Sequence, residues 1–155
     1  MTGTEAVQPY LSFYDRPWIE TKDGNYSGYV MYLRHYSRKH YRVRRNSLFI
    51  GPGEKLVLLT PDASAVFSWA KFHAYNGQTG INCTIFRNEG TQRSSDLIRV
   101  ADELAWKRWP DEPRHYTYVN PAKIRSKNPG CCFLKAGWRK CGYTKGGLLI
   151  LEITA

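Results

Sequence analysis

The sequence predicts a single domain of the α/β (α+β) class on three grounds: its length, its unbroken composition and the way apolar residues change period along it. A chain of 155 residues can build one packed core without disulfide or metal support, and is short for two. No repeat, low-complexity tract or Pro/Gly/Ser-rich linker divides it, so 1–155 reads as one unit with a polar N-terminal arm. Period-two segments then alternate with period-3.6 segments in the order strand, strand, strand, helix, strand, helix, strand, strand.

Ahead of that series, 26–36 can be laid on a helix with Tyr29, Leu33 and Tyr36 on one face. Segments 55–60 and 65–72 are short and apolar-rich, and Thr60-Pro61-Asp62-Ala63-Ser64 between them supplies a turn, so they read as an antiparallel hairpin. After the turn-like 76–80 comes 81–87, where Ile81, Cys83 and Ile85 alternate with Asn82, Thr84 and Phe86 as a third strand. Ser94 and Ser95 offer an N-cap and Asp96 suits the positive helix end, while Leu97, Ala101, Leu104 and Ala105 recur at helical spacing. Arg99 with Glu103 and Glu103 with Lys107 are i,i+4 pairs on that helix, which Trp109-Pro110 ends. Segment 115–120 is β-branched and aromatic and stops at Pro121. Pro129 can occupy the first turn of a helix to Ala136, with Gly137 as its C-cap, and 138–141 and 148–153 make two last strands around the loop 142–147.

Composition narrows the class. Hydrophobic content of 42% with 14% aromatic residues argues against disorder, and a purely apolar run such as 148–151 is far too short to span a bilayer. Residues 1–10 have neither a basic start nor an apolar stretch, so a cytoplasmic protein is expected, with its four cysteines as free thiols. Cys131, Cys132 and Cys141 lack zinc spacing, since adjacent cysteines on a helix point about 100° apart, and no metal site is expected. Cys83 reads as a small core residue. The net charge of +10 predicts attraction to a polyanion. Its distribution sharpens this: 24–53 holds no acid while Arg34, Arg38, Lys39, Arg42, Arg44 and Arg45 crowd within it. A second acid-free stretch, 113–151, carries eight further cations, among them Arg114, Lys123, Lys135 and Lys140. One basic face and contact with nucleic acid, DNA first, are therefore expected, and a basic site for coenzyme A phosphates would account for part of the same signal.

Two stretches carry a family likeness. Arg87-Asn88-Glu89-Gly90-Thr91-Gln92-Arg93-Ser94-Ser95 precedes a helix, whose uncapped N–H groups and dipole bind anions. Asn128-Pro129-Gly130-Cys131-Cys132-Phe133-Leu134-Lys135-Ala136-Gly137-Trp138 places an Asn before a short helix that runs to an aromatic and then Gly-Trp. Together with the element order over 55–153 they resemble the GNAT acyltransferases. The resemblance implies a mixed, mostly antiparallel central sheet flanked by helices, with 80–153 as the cofactor-binding half and 1–54 as the substrate side. It implies acetyl-CoA or another acyl-CoA as cofactor, with Arg87, Gly90, Arg93, Ser94, Ser95, Asn120 and Asn128 as the residues that bind it. The first stretch departs from the family's Arg-x-x-Gly-x-Gly/Ala in lacking the second glycine and in carrying Glu89. His35-Tyr36-Ser37-Arg38 is similar to a His-Tyr element of phage-encoded relatives of the Mom type, which modify adenine in DNA. A base inside a duplex must be flipped out for such chemistry.

Acyl transfer to an amine needs a proton acceptor and a proton donor. His35, with Tyr36 beside it, leads the acceptors, ahead of Glu89 and Asp96; His73 and His115 have weaker claims. Many GNAT members donate from a Tyr four residues before that Gly, but Phe133 stands there in this chain. Cys132, or Tyr116 or Tyr118, can substitute; otherwise the thiolate leaves unassisted or the protein transfers no acyl group. The leading expectation is thus a GNAT-like acyltransferase acting on a nucleic-acid base. An enzyme acting on a protein or small amine, and a non-catalytic protein that binds nucleic acid or a partner through its basic face, remain alternatives.

Overall fold

The computed structural model describes residues 17–36, 48–72, 74, 76–124 and 127–155. Along them run β1 (Ile19–Thr21), α1 (Tyr26–Leu33), β2 (Glu54–Leu59), β3 (Ala65–Lys71), β4 (Ile81–Asn88), α2 (Ser94–Arg108), β5 (Arg114–Val119), α3 (Cys131–Lys135), β6 (Arg139–Tyr143) and β7 (Leu149–Thr154). The strands form one sheet in the order β1-β2-β3-β4-β5-β7-β6. Neighbours are antiparallel except β4 with β5, which run parallel with α2 as the crossover between them. No helix among the described residues is long and apolar enough to cross a membrane.

β3 explains why the sheet is covered on both faces. All but its last residue are buried, so both sets of alternating side chains have apolar partners. Ala65, Phe67 and Trp69 join Leu97, Ile98, Ala101 and Ala105 of α2 in the main core. Val66, Ser68 and Ala70 point to the other face, where Gly28 of α1 comes so close that an added Cβ would stand 3.7 Å from Val66 and 3.0 Å from Phe49. Two buried indoles lock α2 down: Trp18 Nε1 donates to the Leu97 carbonyl at 2.8 Å and Trp69 Nε1 to that of Ala101 at 3.0 Å. Burying a large apolar side chain contributes about 1.5–3 kcal/mol.

Several expectations need correction. The strand 81–87 does not alternate evenly, because a β-bulge against β3 leaves Thr84 without a partner between the pairs Ser68↔Ile85 and Trp69↔Cys83. The extra residue reverses parity. Phe86, not Ile85, therefore packs on the α2 face, at 5.4 Å from Phe67 and 6.1 Å from Phe133 between ring centroids. α2 begins at Ser94 itself, with Arg93 at the cap position and no side-chain cap, while Ser95 is buried. Arg99 pairs with Asp96 at 3.0 Å and donates to the Lys135 carbonyl, so the expected pair with Glu103 gives way to a tie between α2 and α3. α1 stops at Leu33, short of Tyr36. α3 is a single turn: Gly130, at φ +76°, lies so near Leu151 that a Cβ would meet its Cδ1 at 2.5 Å. β1 was not anticipated, since three residues are too few to show a period.

The β2–β3 turn holds a local strain that can be tested. Ala63 sits at φ +57°, where a Cβ costs about 1–2 kcal/mol. Thr60 and Asp62 hold it there, accepting from the Ser64 and Ala65 backbone at 3.0–3.2 Å. Ala63→Gly is expected to stabilise the chain by roughly 0.5–1 kcal/mol after the entropy of the unfolded glycine is counted, read as a higher denaturation midpoint at unchanged slope.

Candidate active site

β4 and β5 are paired only from Ile81↔His115 to Cys83↔Thr117. Past that point each follows its outer neighbour: β4 stays with β3 to Asn88, and β5 stays with β7 to Val119. The two strands therefore part, and a cavity of about 260 Å³ opens between them. Its walls are Thr84, Ile85 and Phe86 of β4, Tyr118 and Val119 of β5, Asn128, and Cys131 to Phe133 of α3; His35 and Tyr36 enter it from the turn after α1.

Three of the expected catalytic residues are thus brought together: His35, Tyr36 and Cys132. The imidazole of His35 stacks on the Tyr36 ring at 4.5 Å and is hydrogen-bonded to the backbone of Phe86. Burial, and then the charge of Arg87, lower its pKa to about 4, so it is neutral at pH 7. The Asn120 N–H donates to the Tyr36 hydroxyl at 3.4 Å. Burial raises the pKa of both Tyr36 and the Cys132 thiol, and each keeps its proton at neutral pH. Asn120 and Asn128 serve the backbone as well: the Asn120 side chain accepts from Ala122 N–H at 3.0 Å, and the Asn128 carbonyl accepts from Cys131 N–H at 3.1 Å.

Glu89 does not join them. Arg34 grips its carboxylate through two hydrogen bonds of 2.7 Å, and Arg87 Nε adds a third at 2.5 Å. Those hydrogen bonds hold its pKa to about 2, too low for a proton acceptor at neutral pH. The same cluster corrects the reading of Arg87. The parity set by the bulge sends Asn88 to the α2 face, where its Nδ2 donates to the Gln92 carbonyl at 2.7 Å and Ser94 Oγ at 3.0 Å. Arg87 points to the α1 face instead, donating to the Arg34 carbonyl at 2.9 Å, and does not reach the start of α2. Asn88 was missed as the residue that shapes this loop: it also accepts from Gly90 N–H at 2.9 Å. Gly90 lies close against the β2–β3 turn, where a Cβ would stand 2.3 Å from Ser64 Oγ. Arg93 is exposed at the helix start, and Asp96 is taken up by Arg99.

Of the expected nucleic-acid contacts, Arg34 is committed to Glu89, and Arg38, Lys39, Arg42, Arg44 and Arg45 lie outside the described residues, as does His73. In the second acid-free stretch, Arg114 and Arg139 both pair with Glu152, at 2.7 and 2.6 Å, so a stretch without acids in sequence is not without them in space. Lys123, Lys127, Lys135, Lys140 and Lys145 are exposed. Tyr118 lines the cavity, its hydroxyl accepting from Asn76 Nδ2 at 2.7 Å. Tyr116 and Trp69 are wholly buried. His115 is wholly buried too, its Nδ1 2.7 Å from Asp102 Oδ1. Asp102 was missed, although it interrupts the apolar stripe Ile98, Ala101, Ala105, which is a visible signal. Among the described residues no group of His, Cys, Asp and Glu is arranged for a metal.

No protein-family model matches the sequence, and no curated protein does. Solved structures do. The GNAT domain of PAT from S. lividans superposes with a TM-score of 0.58 over 97% of this chain and 86% of that one, at 16% identity. The aminoglycoside acetyltransferase AAC(6')-Ib, solved with coenzyme A, gives a TM-score of 0.48 at 14% identity over 64% of this chain. The chain spans 65% of that protein, just under two thirds. The fold is that of the GNAT acyltransferases: one α+β domain with a mixed seven-stranded sheet flanked by helices.

Proposed function

We propose that the chain is an acyltransferase that takes its acyl group from acetyl-coenzyme A or another acyl-coenzyme A and passes it to a nucleic-acid base. The acceptor follows the Mom-like reading of His35-Tyr36 and of the basic stretch after it, and with it a phage or prophage origin. The observation that carries the proposal is the meeting of His35, Tyr36 and Cys132 around the opening between β4 and β5.

The residues fit the acyl donor in two ways. α2 starts without a side-chain cap, which leaves its first N–H groups and positive end to a diphosphate. Beyond Cys83, β4 has no partner strand on its β5 side among the described residues, so the part of its backbone that His35 does not take at Phe86 can meet an extended arm that carries amides of its own. Arg87 fits less well, since it lies on the α1 face, and Arg93 is the nearer cation in sequence to the helix start. The donor supplies the acyl group as a thioester. For the chain's part, a ring nitrogen of neutral His35 accepts the proton of the incoming amine, and the Tyr36 hydroxyl and Cys132 thiol are the proton sources in the cavity. Phe133, packed 4.8 Å from Trp138, contributes an apolar wall to the cavity.

Thermal shift tests the donor. Coenzyme A at about a hundredfold its Kd is expected to raise the Tm by roughly 5–10 °C, and an unchanged melting curve would remove the donor. Mass spectrometry of nucleosides from cells expressing the chain tests the acceptor: one nucleoside heavier by an acyl group is expected. Only ordinary nucleosides, from protein that binds coenzyme A, would end the base-modifying reading.

A further inference from the structure

We infer that Arg34 and Arg87 form a binding site for a phosphate of the acceptor, and that Glu89 fills this site until the acceptor displaces it. For the identity of the acceptor the inference rests on the function proposed above. For the site itself it rests on geometry.

A carboxylate gripped by two guanidiniums is the arrangement that a phosphate oxygen pair adopts with arginine. Here Arg34 gives two parallel N–H bonds, from Nε and Nη2, to the two oxygens of Glu89, and Arg87 Nε gives one. The guanidinium of Arg87 is fixed independently of Glu89, through Nη1 on the Arg34 carbonyl. It would stay in place if the carboxylate left. The cluster is also open to solvent: the side chains of Arg34, Arg87 and Glu89 are 46%, 33% and 30% exposed. An ion pair so exposed contributes little to stability, and exchange of its anion requires no opening of the core.

Its position selects the acceptor rather than the acyl donor. Both guanidiniums are on the α1 face of the sheet, whereas the uncapped start of α2 and the Asn88 side chain are on the other. Arg34 directly precedes His35, and Arg87 is close enough to depress the titration of the imidazole. A phosphate held there would lie beside the proton acceptor, with the basic run from Arg38 to Arg45 following in sequence. Glu89 gives the site discrimination: a weak monoanion cannot compete with a tethered carboxylate, and a polyanion can.

Glu89→Gln keeps the shape of the side chain and removes its charge. Binding of a fluorescent single-stranded DNA oligonucleotide and of coenzyme A is measured for the full chain, for Glu89→Gln, for Glu89→Gln with Arg34→Gln, and for Glu20→Gln. The last removes a charge from the exposed edge strand β1 and measures the general effect of net charge. Glu89→Gln is expected to bind the oligonucleotide about five- to tenfold more tightly and coenzyme A within twofold of the parent chain, and the added Arg34→Gln is expected to abolish the gain. Circular dichroism confirms that each variant is folded. No gain, a gain matched by Glu20→Gln, one that survives Arg34→Gln, or one confined to coenzyme A would overturn the inference. If the parent chain binds no coenzyme A, the acyl-donor reading fails, and the phosphate site is still decided by the oligonucleotide.

Discussion

Asp102→Ala is expected to destabilise the chain by about 3–5 kcal/mol and to lower its Tm by roughly 10 °C. The carboxylate, 4% exposed, accepts from two groups at once: Oδ1 lies 2.7 Å from His115 Nδ1 and Oδ2 lies 2.8 Å from Trp138 Nε1. Burial raises its pKa, against the pull of both hydrogen bonds. Around it His115 stacks on Trp106 at 3.5 Å and lies 4.5 Å from Trp69, and Trp69 stacks on Trp138 at 6.2 Å. Truncation leaves two buried donors unsatisfied, each at about 1–3 kcal/mol. His115 Nε2 already has no partner among the described residues, so the network begins with a deficit and tolerates further loss poorly. Asp102→Asn should fall between parent and alanine variant, because one amide oxygen can still accept while its NH₂ meets a donor. A melting curve for Asp102→Ala within about 2 °C of the parent would show that the network does not hold α2, β5 and Trp138, which leads into β6, together.

That network marks how far the sequence could be read. Periods long enough to register were legible: α2 shows its 3.6 repeat over fifteen residues, and the β2–β3 hairpin is announced by Pro61-Asp62. The GNAT fold followed from the order of elements and from Asn128 to Trp138. Features that depend on a single residue out of step were not legible. The bulge at Thr84 moves Phe86, Arg87 and Asn88 each to the opposite face, and no local pattern around Thr84 signals it. The reassignment of Arg87 from phosphate loop to α1 face, and of Glu89 from base to ion-pair bridge, both follow from that one shift. His35 and Tyr36, expected as catalytic residues, line the cavity between β4 and β5, but their contact with Phe86 and Asn120 joins residues fifty or more positions apart and is set only by tertiary packing. Asp102 was legible in principle, as an acid within an apolar stripe, and its partners His115 and Trp138 were not.

His35→Gln is expected to lower kcat/KM for acyl transfer by about 10²–10⁴-fold, with coenzyme A binding retained. The glutamine keeps a hydrogen-bonding group for the Phe86 backbone and removes the proton acceptor. The pH dependence gives an independent reading. A histidine whose folded pKa is lowered from 6.5 to about 4 resists protonation in the native state while the unfolded chain accepts it. Its contribution to stability is therefore full above about pH 6.5, and is lost as pH falls from there to about 4. His35→Gln removes that part of the acid slope. If the chain transfers an acyl group as proposed, the parent's kcat/KM should stay level down to about pH 5 and fall as pH approaches 4, since the imidazole is neutral above that value. Tyr36→Phe, which keeps the ring stacked on His35 and deletes the hydroxyl, should lower kcat by a smaller factor, about tenfold to a hundredfold, and leave the low-pH limb where it was. Following free coenzyme A released from acetyl-coenzyme A in the presence of single-stranded DNA measures the rates and their pH dependence, and the denaturation midpoint against pH measures the acid slope. A His35→Gln variant that binds coenzyme A and transfers at the parent rate would take the proton-acceptor role away from His35.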